Sequence, residues 1–396
     1  MEFKKKVLAN GMTVLFEKRD VPVTTVMLAT KYGSAYESEK EKGMAHFMEH
    51  LCFKGTEKRS VDDISSEVES VGGDLNAFTH EEVTAYHVKL PSKHLEIAMD
   101  VIFDVFFNPT FPEAEIEKEG NVIVEEIKMY RDNPQAHVFE RIKEGLYEKP
   151  FGMFGAGTIE NVKSFSREKL FNRHREVYCP SNAILSVVGN NDFEDVIKMA
   201  EKFSVERDFD GREFPEVVFR SGKGEEKRAE LQQTNLTLGF HFPNLSSSER
   251  YAAEVFTTIL GSGMSSKLFR EVRERKGLVY GVKSVLDLGK NYGYMVIWAG
   301  TDPEKKEEVI KICLEEFKKM GSISEEELEK AKIQVIGGRH VESESSDVVA
   351  VSLILEEVSG DAKDYYDYEK KINSVTLDDI KELAKISEFA SFSLGP

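Results

Sequence analysis

Two stretches of this chain can be laid on one another at a single offset, and that repetition constrains its fold more than any other feature. Pro91 to Ile97 (Pro-Ser-Lys-His-Leu-Glu-Ile) lies on Pro303 to Val309 (Pro-Glu-Lys-Lys-Glu-Glu-Val). Ile116-Glu117-Lys118 lies on Leu328-Glu329-Lys330, and both pairs share an offset of 212 residues (91 to 303, 116 to 328). Such a repeat implies two α/β domains with the same order of elements. A length of 396 residues fits that count. Turn-forming residues collect around Asp210-Gly211, Pro215 and Ser221-Gly222-Lys223-Gly224. They set an N-terminal domain over 1–210, a linker at 211–224 and a C-terminal domain over 225–396.

Within the first half, Val7 to Phe16 and Thr24 to Lys31 read as strands around the turn Asn10-Gly11 and the break Asp20-Val21-Pro22. Ser60 caps a helix over 61–71, with Asp63 at its third position and Gly72 just past its end. Asp74 to Leu90 reads as strand. Pro91 opens an apolar helix stopped by Asn108-Pro109, and Pro112 opens a long one ending near Asp132-Asn133-Pro134. A further helix runs on to the region of Tyr147. Residues 151–158 form a glycine-rich loop, but no Gly-Lys-Ser/Thr follows, so it is not a phosphate cradle.

The chemistry centres on Met44-Ala45-His46-Phe47-Met48-Glu49-His50-Leu51. On a helix His46, Glu49 and His50 share an arc of about 100°. Two neutral imidazoles placed so can bind one Zn²⁺ while the carboxylate points at a water on the same metal. Zinc lowers the pKa of that water toward ~7, and Glu49 can take its proton as general base. The pattern H-x-x-E-H inverts the commoner H-E-x-x-H zinc helix. Cys52 lies about 200° round the helix from His50, which fits a buried structural thiol rather than a ligand.

A helix with these residues on a solvated face is the plain alternative, and a second stretch argues against it. In the helix after Pro112, Ile116, Val122, Ile123, Ile127 and Tyr130 make one apolar side. With Glu119 at 0°, Glu126 falls at about −20°, in that sector, and Glu125 near −120°, outside it. Two carboxylates one heptad apart on a face meant for burial need a cation. Glu126 is therefore the third ligand, and Glu119 a supporting acid that orients a ligand histidine.

Composition narrows the partners. The formal net charge is −18, which disfavours nucleic acid and anionic membranes and favours a cationic peptide. Charged residues make up 31% of the chain, rich in Lys and Glu, a thermophile-like balance. No apolar signal core follows the N-terminus and no run of 18 apolar residues occurs, so a cytoplasmic protein is expected. Cys52, Cys179 and Cys313 lack C-x-x-C spacing and read as reduced thiols.

These residues resemble the pitrilysin family of zinc peptidases, in the half-size branch with mitochondrial processing peptidase. The matching pieces are His46-x-x-Glu49-His50 with Phe53-Lys54-Gly55-Thr56, then Gly72-Gly73 with Asn76-Ala77, then Glu119 to Glu126. Glu126 stands at the distance from His50 that the family's third ligand requires. In the second half the zinc helix is lost, and near its place stands Leu260-Gly261-Ser262-Gly263-Met264-Ser265-Ser266. Arg273 and Tyr280, seven apart, fit the family's Arg/Tyr segment that completes the active site. A guanidinium and a phenol can hold a substrate carbonyl and a developing oxyanion.

The resemblance implies an α+β fold of two homologous domains, each a mainly antiparallel sheet packed with helices. It also implies a clamshell-like chamber formed by two chains, in which Arg273 and Tyr280 reach the partner's zinc site. One chain carries both sets of motifs, which favours a homodimer over a heterodimer with a related chain. The expected activity is that of a zinc metalloendopeptidase acting on peptides or unfolded segments, which add as a strand at Asn76 and Ala77. The competing expectation is a non-catalytic peptide-binding or core subunit of the same fold.

Overall fold

Alternate residues of the central strands face two different cores, and that alternation fixes the layers. In the computed structural model, which describes residues 2–396, the first sheet holds β1 (Glu2–Val7), β2 (Thr13–Lys18), β3 (Val23–Thr30), β4 (Asp74–Thr79), β5 (Thr84–Pro91) and β6 (Ala183–Gly189). Their spatial order is β1-β2-β6-β3-β5-β4, and every pair is antiparallel except β2 with β6. Val14, Phe16, Val26, Leu28, Tyr86, Val88, Leu185 and Val187 point into the larger core. Leu15, Met27, Ala29, Ala85, Ile184 and Val188 point the other way. Asn10-Gly11 turns β1 into β2, with Gly11 at a φ of 84° and the Asn10 side chain accepting the Met12 N–H.

The larger core is covered by helices α1 (Met44–Cys52), α2 (Val61–Glu69), α3 (Leu95–Phe107) and α4 (Glu113–Asp132). Helix α2 starts with the expected cap, a reciprocal capping box between Ser60 and Asp63. Beyond α4 come α5 (Pro134–Leu146), α6 (Ile159–Ser164), α7 (Arg167–Val177) and α8 (Phe193–Phe203). Helix α6 has no counterpart in the sequence reading, since six residues are too few to show a period.

The second sheet holds β7 (Lys223–Lys227), β8 (Thr234–His241), β9 (Val279–Leu288), β10 (Gly293–Thr301) and β11 (Ala390–Gly395), in the order β7-β11-β8-β10-β9. Only β7 with β11 is parallel. This order repeats β2-β6-β3-β5-β4 of the first sheet strand for strand, which is the duplication seen as topology. Helices α9 (Arg250–Gly261), α10 (Lys306–Lys319), α11 (Glu325–Glu342) and α12 (Ser346–Ser359) follow in the chain. The same offset relates α4 to α11 (113 to 325) and α5 to α12 (134 to 346).

The contact units are not contiguous in sequence. One comprises residues 2–127, 154–215 and 342–365; the other comprises 128–153, 216–341 and 366–396. Helix α12 therefore belongs with the first sheet, where Val349, Ala350, Leu353, Ile354 and Val358 cover the smaller core. Helix α5 belongs with the second sheet. There Ile142 and Leu146 lie so near β8 that a Cβ on Gly239 would be 2.9 Å from each. A cut between β6 and β7 separates the strands of the two sheets, although β7 begins at Lys223, inside the expected linker 211–224, and α5 and α12 each belong to the unit on the other side of it. No helix among the described residues is long and apolar enough to cross a membrane.

Leu353 is fully buried in the core that α12 shares with the first sheet. Leu353→Ala is expected to cost about 2–5 kcal/mol. Hydrogen exchange should quicken in β3 and β6 and stay unchanged in β8; the reverse pattern would contradict this placing of α12.

Candidate metal centre

Helix α1 buries Met44, Ala45, Phe47, Met48, Leu51 and Cys52 and leaves His46, Glu49 and His50 half-buried on its remaining arc. Helix α4 buries Glu119, Gly120, Ile123 and Val124. Gly120 sits against the Phe47 ring, with a built Cβ 3.5 Å from Cζ. The buried stripe of α4 is rotated from the expected one: Val122 and Tyr130 are exposed. On the helical wheel Val122 falls outside the arc of 116, 119, 120, 123, 124 and 127, while Tyr130 falls inside it but lies in the last turn of α4, beyond Ile127 and past the packed part of the stripe. Glu119 stays within the stripe and Glu126, half-buried, at its side.

The two helices bring three donors together. Glu126 Oε2 is 3.5 Å from His46 Nε2 and 3.7 Å from His50 Nε2. The two rings meet edge to face at 4.8 Å. Glu119, buried, holds Oε2 3.3 Å from His50 Nδ1, while its Oε1 pairs with Lys54 Nζ at 2.9 Å. That contact turns the other ring nitrogen of His50 toward Glu126. Glu49 accepts a 2.6 Å hydrogen bond from the Thr79 hydroxyl at the end of β4.

Burial shifts His46, Glu49 and Glu126. It lowers the His46 pKa to about 4, with His50 adding to the shift. It raises the Glu49 carboxyl, with Glu126 adding and the Thr79 bond and His50 opposing. It raises Glu126 too, against His50. An uncharged His46 ring beside carboxylates that burial disfavours is a setting that a bound cation would stabilise. Ligand atoms of His46, His50 and Glu126 lie within 4.8 Å of one another, the only such group among the described residues. Two imidazoles and a carboxylate with room for water are a donor set that suits zinc. Cys52 takes no part: it is fully buried and burial pushes its thiol up.

Asn76 and Ala77 lie on β4, an edge strand paired only with β5. Ala77 and Thr79 share the face toward α1, and Asn76 is exposed, its Oδ1 accepting the Ala77 N–H at 2.8 Å. Arg273 and Tyr280 belong to the second unit. Arg273 lies exposed on a π-helical turn, Phe269–Arg275, over the Phe269 ring. Tyr280 lies on β9, packs over Gly300 and donates to Asn235 Oδ1 at 3.2 Å. Asn235 also accepts from Trp298 Nε1. Sequence reasoning missed Thr79 and Lys54. Lys54 follows the zinc helix in a quoted motif but had no assigned role, and no local signal links Thr79 to Glu49.

In the second half, Gly338 stands where Glu126 stands and Ala331 where Glu119 stands, at the offset that relates α4 to α11. The metal donors have no counterpart there. An H-x-x-E-H helix with a third carboxylate from a neighbouring helix defines the class of inverted-motif zinc peptidases. Comparison with known proteins is consistent with that class. The sequence model described as Insulinase (Peptidase family M16) matches residues 13–153, and that of the Peptidase M16 inactive domain matches residues 164–335. This chain belongs to peptidase family M16.

A relative in Bacillus subtilis, named an uncharacterized zinc protease, is 34% identical over 351 residues, 87% of this chain and 85% of its own. One in Rickettsia bellii with the same description is 34% identical over 338 residues, 84% of this chain and 82% of its own. The fold matches a Helicobacter pylori protease at a TM-score of 0.91 and 24% identity, covering 100% of this chain and 99% of that one. It also matches a Pseudomonas fluorescens peptidase M16 inactive domain at 0.92 and 20%, covering 100% and 98%.

Glu119→Gln keeps the shape but weakens the hold on the His50 ring. Zinc affinity measured by chelator competition is expected to fall by about 10–100-fold. An unchanged affinity would mean that His50 needs no such support.

Proposed function

We propose that this chain is a zinc-dependent endopeptidase. The observation that carries the reading is the meeting of His46, His50 and Glu126 beside the Glu49 carboxylate. His46, His50 and Glu126 would hold the zinc, which when bound would polarise the scissile carbonyl and lower the pKa of the attacking water. Glu49 takes that water's proton and later passes it to the leaving amine. The Thr79 hydroxyl occupies one Glu49 oxygen and leaves the other for the proton. Glu119 and Lys54 keep the His50 ring in place.

Substrate would add to the free edge of β4 at Asn76 and Ala77, taking backbone hydrogen bonds that tolerate many sequences. Asn76 must then yield the Ala77 N–H it now accepts. A net charge of −18 favours cationic peptides. Arg273 and Tyr280 serve as carbonyl and oxyanion donors, reaching the metal centre of a second copy in a homodimer that encloses the substrate. Three buried thiols without a disulfide fit a reducing compartment such as the cytoplasm.

Glu49→Gln is expected to hold zinc as tightly as the wild type while kcat on a pool of short peptides drops by about a hundred- to ten-thousand-fold. If neither chain cleaves although both bind zinc, the peptide-binding subunit becomes the better reading. Mixing Glu49→Gln chains with Arg273→Ala chains is expected to restore activity through one hybrid site per mixed dimer. Mixed dimers that stay inactive would show that Arg273 does not act across the dimer.

A further inference from the structure

The loop that leads into α1 carries a buried carboxyl group that the reaction above does not use. Glu37 is fully buried, and its two carboxylate oxygens accept the N–H groups of Gly43 at 2.9 Å and Ala45 at 2.6 Å. Those are the N-cap and the second residue of α1, whose N-cap has a φ of 97° and offers no side-chain cap of its own. A helix start leaves N–H groups without partners and carries partial positive charge, so a carboxylate there is both acceptor and counter-charge. The next residue along is His46.

The surroundings pin this corner from both sides. Lys42, almost fully buried, donates from Nζ to the Ser34 carbonyl at 2.6 Å. Ser34 and Ala35 donate in turn to the carbonyls of His80 and Glu81, just past β4. On the other side, a Cβ on Gly157 would lie 2.1 Å from the Lys42 carbonyl oxygen, and one on Gly43 would lie 2.4 Å from that of Ala156. Asn161 donates to the carbonyls of Lys42 and Glu39. The end of the glycine-rich loop is thus a close-packed backing for the start of α1. Burial raises the Glu37 pKa, and Lys42 with the two N–H donors opposes the rise.

We propose that Glu37 is a positioning residue of the metal centre, holding the first turn of α1 so that His46 meets Glu126. The proposal rests on the metal reading above. Glu37→Gln keeps the size of the side chain but offers one acceptor to two donors. By chelator competition its zinc affinity should fall by about 10–100-fold, the size seen when a ligand's support is removed. The absorption spectrum of the cobalt-substituted chain should change, and kcat on a short peptide should fall with KM unmoved.

Glu17→Gln is the control. Glu17 is equally buried, lies on β2 and is paired with Arg19 just past the end of that strand. This variant should lower Tm and leave zinc affinity alone. Equal zinc loss in both variants would overturn the proposal, as would a Glu37→Gln chain with wild-type affinity and spectrum. If Glu37→Gln does not fold, Glu37→Asp decides, because its shorter side chain keeps the carboxylate but draws it back from the Gly43 and Ala45 N–H groups. Weaker zinc binding supports the proposal, and unchanged binding overturns it. A wild type that binds no zinc overturns the metal reading and the brace with it; zinc-binding chains indifferent to these changes overturn the brace alone.

Discussion

The close approach of α1 and α4 is the contact on which the site depends. Gly120 of α4 lies against the Phe47 ring of α1, and the same approach sets Glu126 across from His46 and His50. The buried Glu119 closes the gap one heptad earlier by reaching His50 and Lys54. Partly buried carboxylates beside an uncharged His46 ring are costly without a cation, because water can no longer solvate the charge. A divalent ion resolves that cost and makes the arrangement useful, since neutral imidazoles and an ionised carboxylate are the forms that ligate.

The rest of the first unit maintains this contact. Strand β4 delivers Thr79 to Glu49 and keeps its outer edge unpaired. Glu37 and the loop ending at Gly157 fix where α1 begins. Beneath the sheet, α12 seals the second core with a helix from the other half of the sequence. The duplicated half shows what remains when the site is given up. Its sheet keeps the same strand order, while Gly338 and Ala331 stand in place of the two acids. Fold and chemistry are separable here, because strand order depends on apolar alternation and the site on a handful of polar side chains.

Much of the candidate site was legible because its residues obey a local period. His46, Glu49 and His50 share an arc of one helix, and Glu119 and Glu126 share another, so five residues could be placed on two faces before any packing was known. The apolar stripe of α4 was read less well. Val122 and Tyr130 were assigned to it and are exposed, since hydrophobicity alone does not say which margin of a stripe, or how much of its length, meets a neighbour. Arg273 and Tyr280 were legible only as a spacing, and the structure adds what holds each side chain: the Phe269 ring for one, Gly300 and Asn235 for the other.

By itself the sequence determined the repeat, most of the helices and strands, the burial of Cys52 and the three candidate metal ligands that the structure brings together, all of which follow from spacing and residue type. Only the tertiary structure decided that α5 and α12 each cover the sheet of the opposite half. It alone paired Thr79 with Glu49, Lys54 with Glu119, and Glu37 with the start of α1. The reason is physical. A period along the chain says which face of an element is apolar or polar, but not which distant surface will meet it. That choice rests on complementary packing and on hydrogen bonds between groups far apart in sequence, which exist only once the chain has folded.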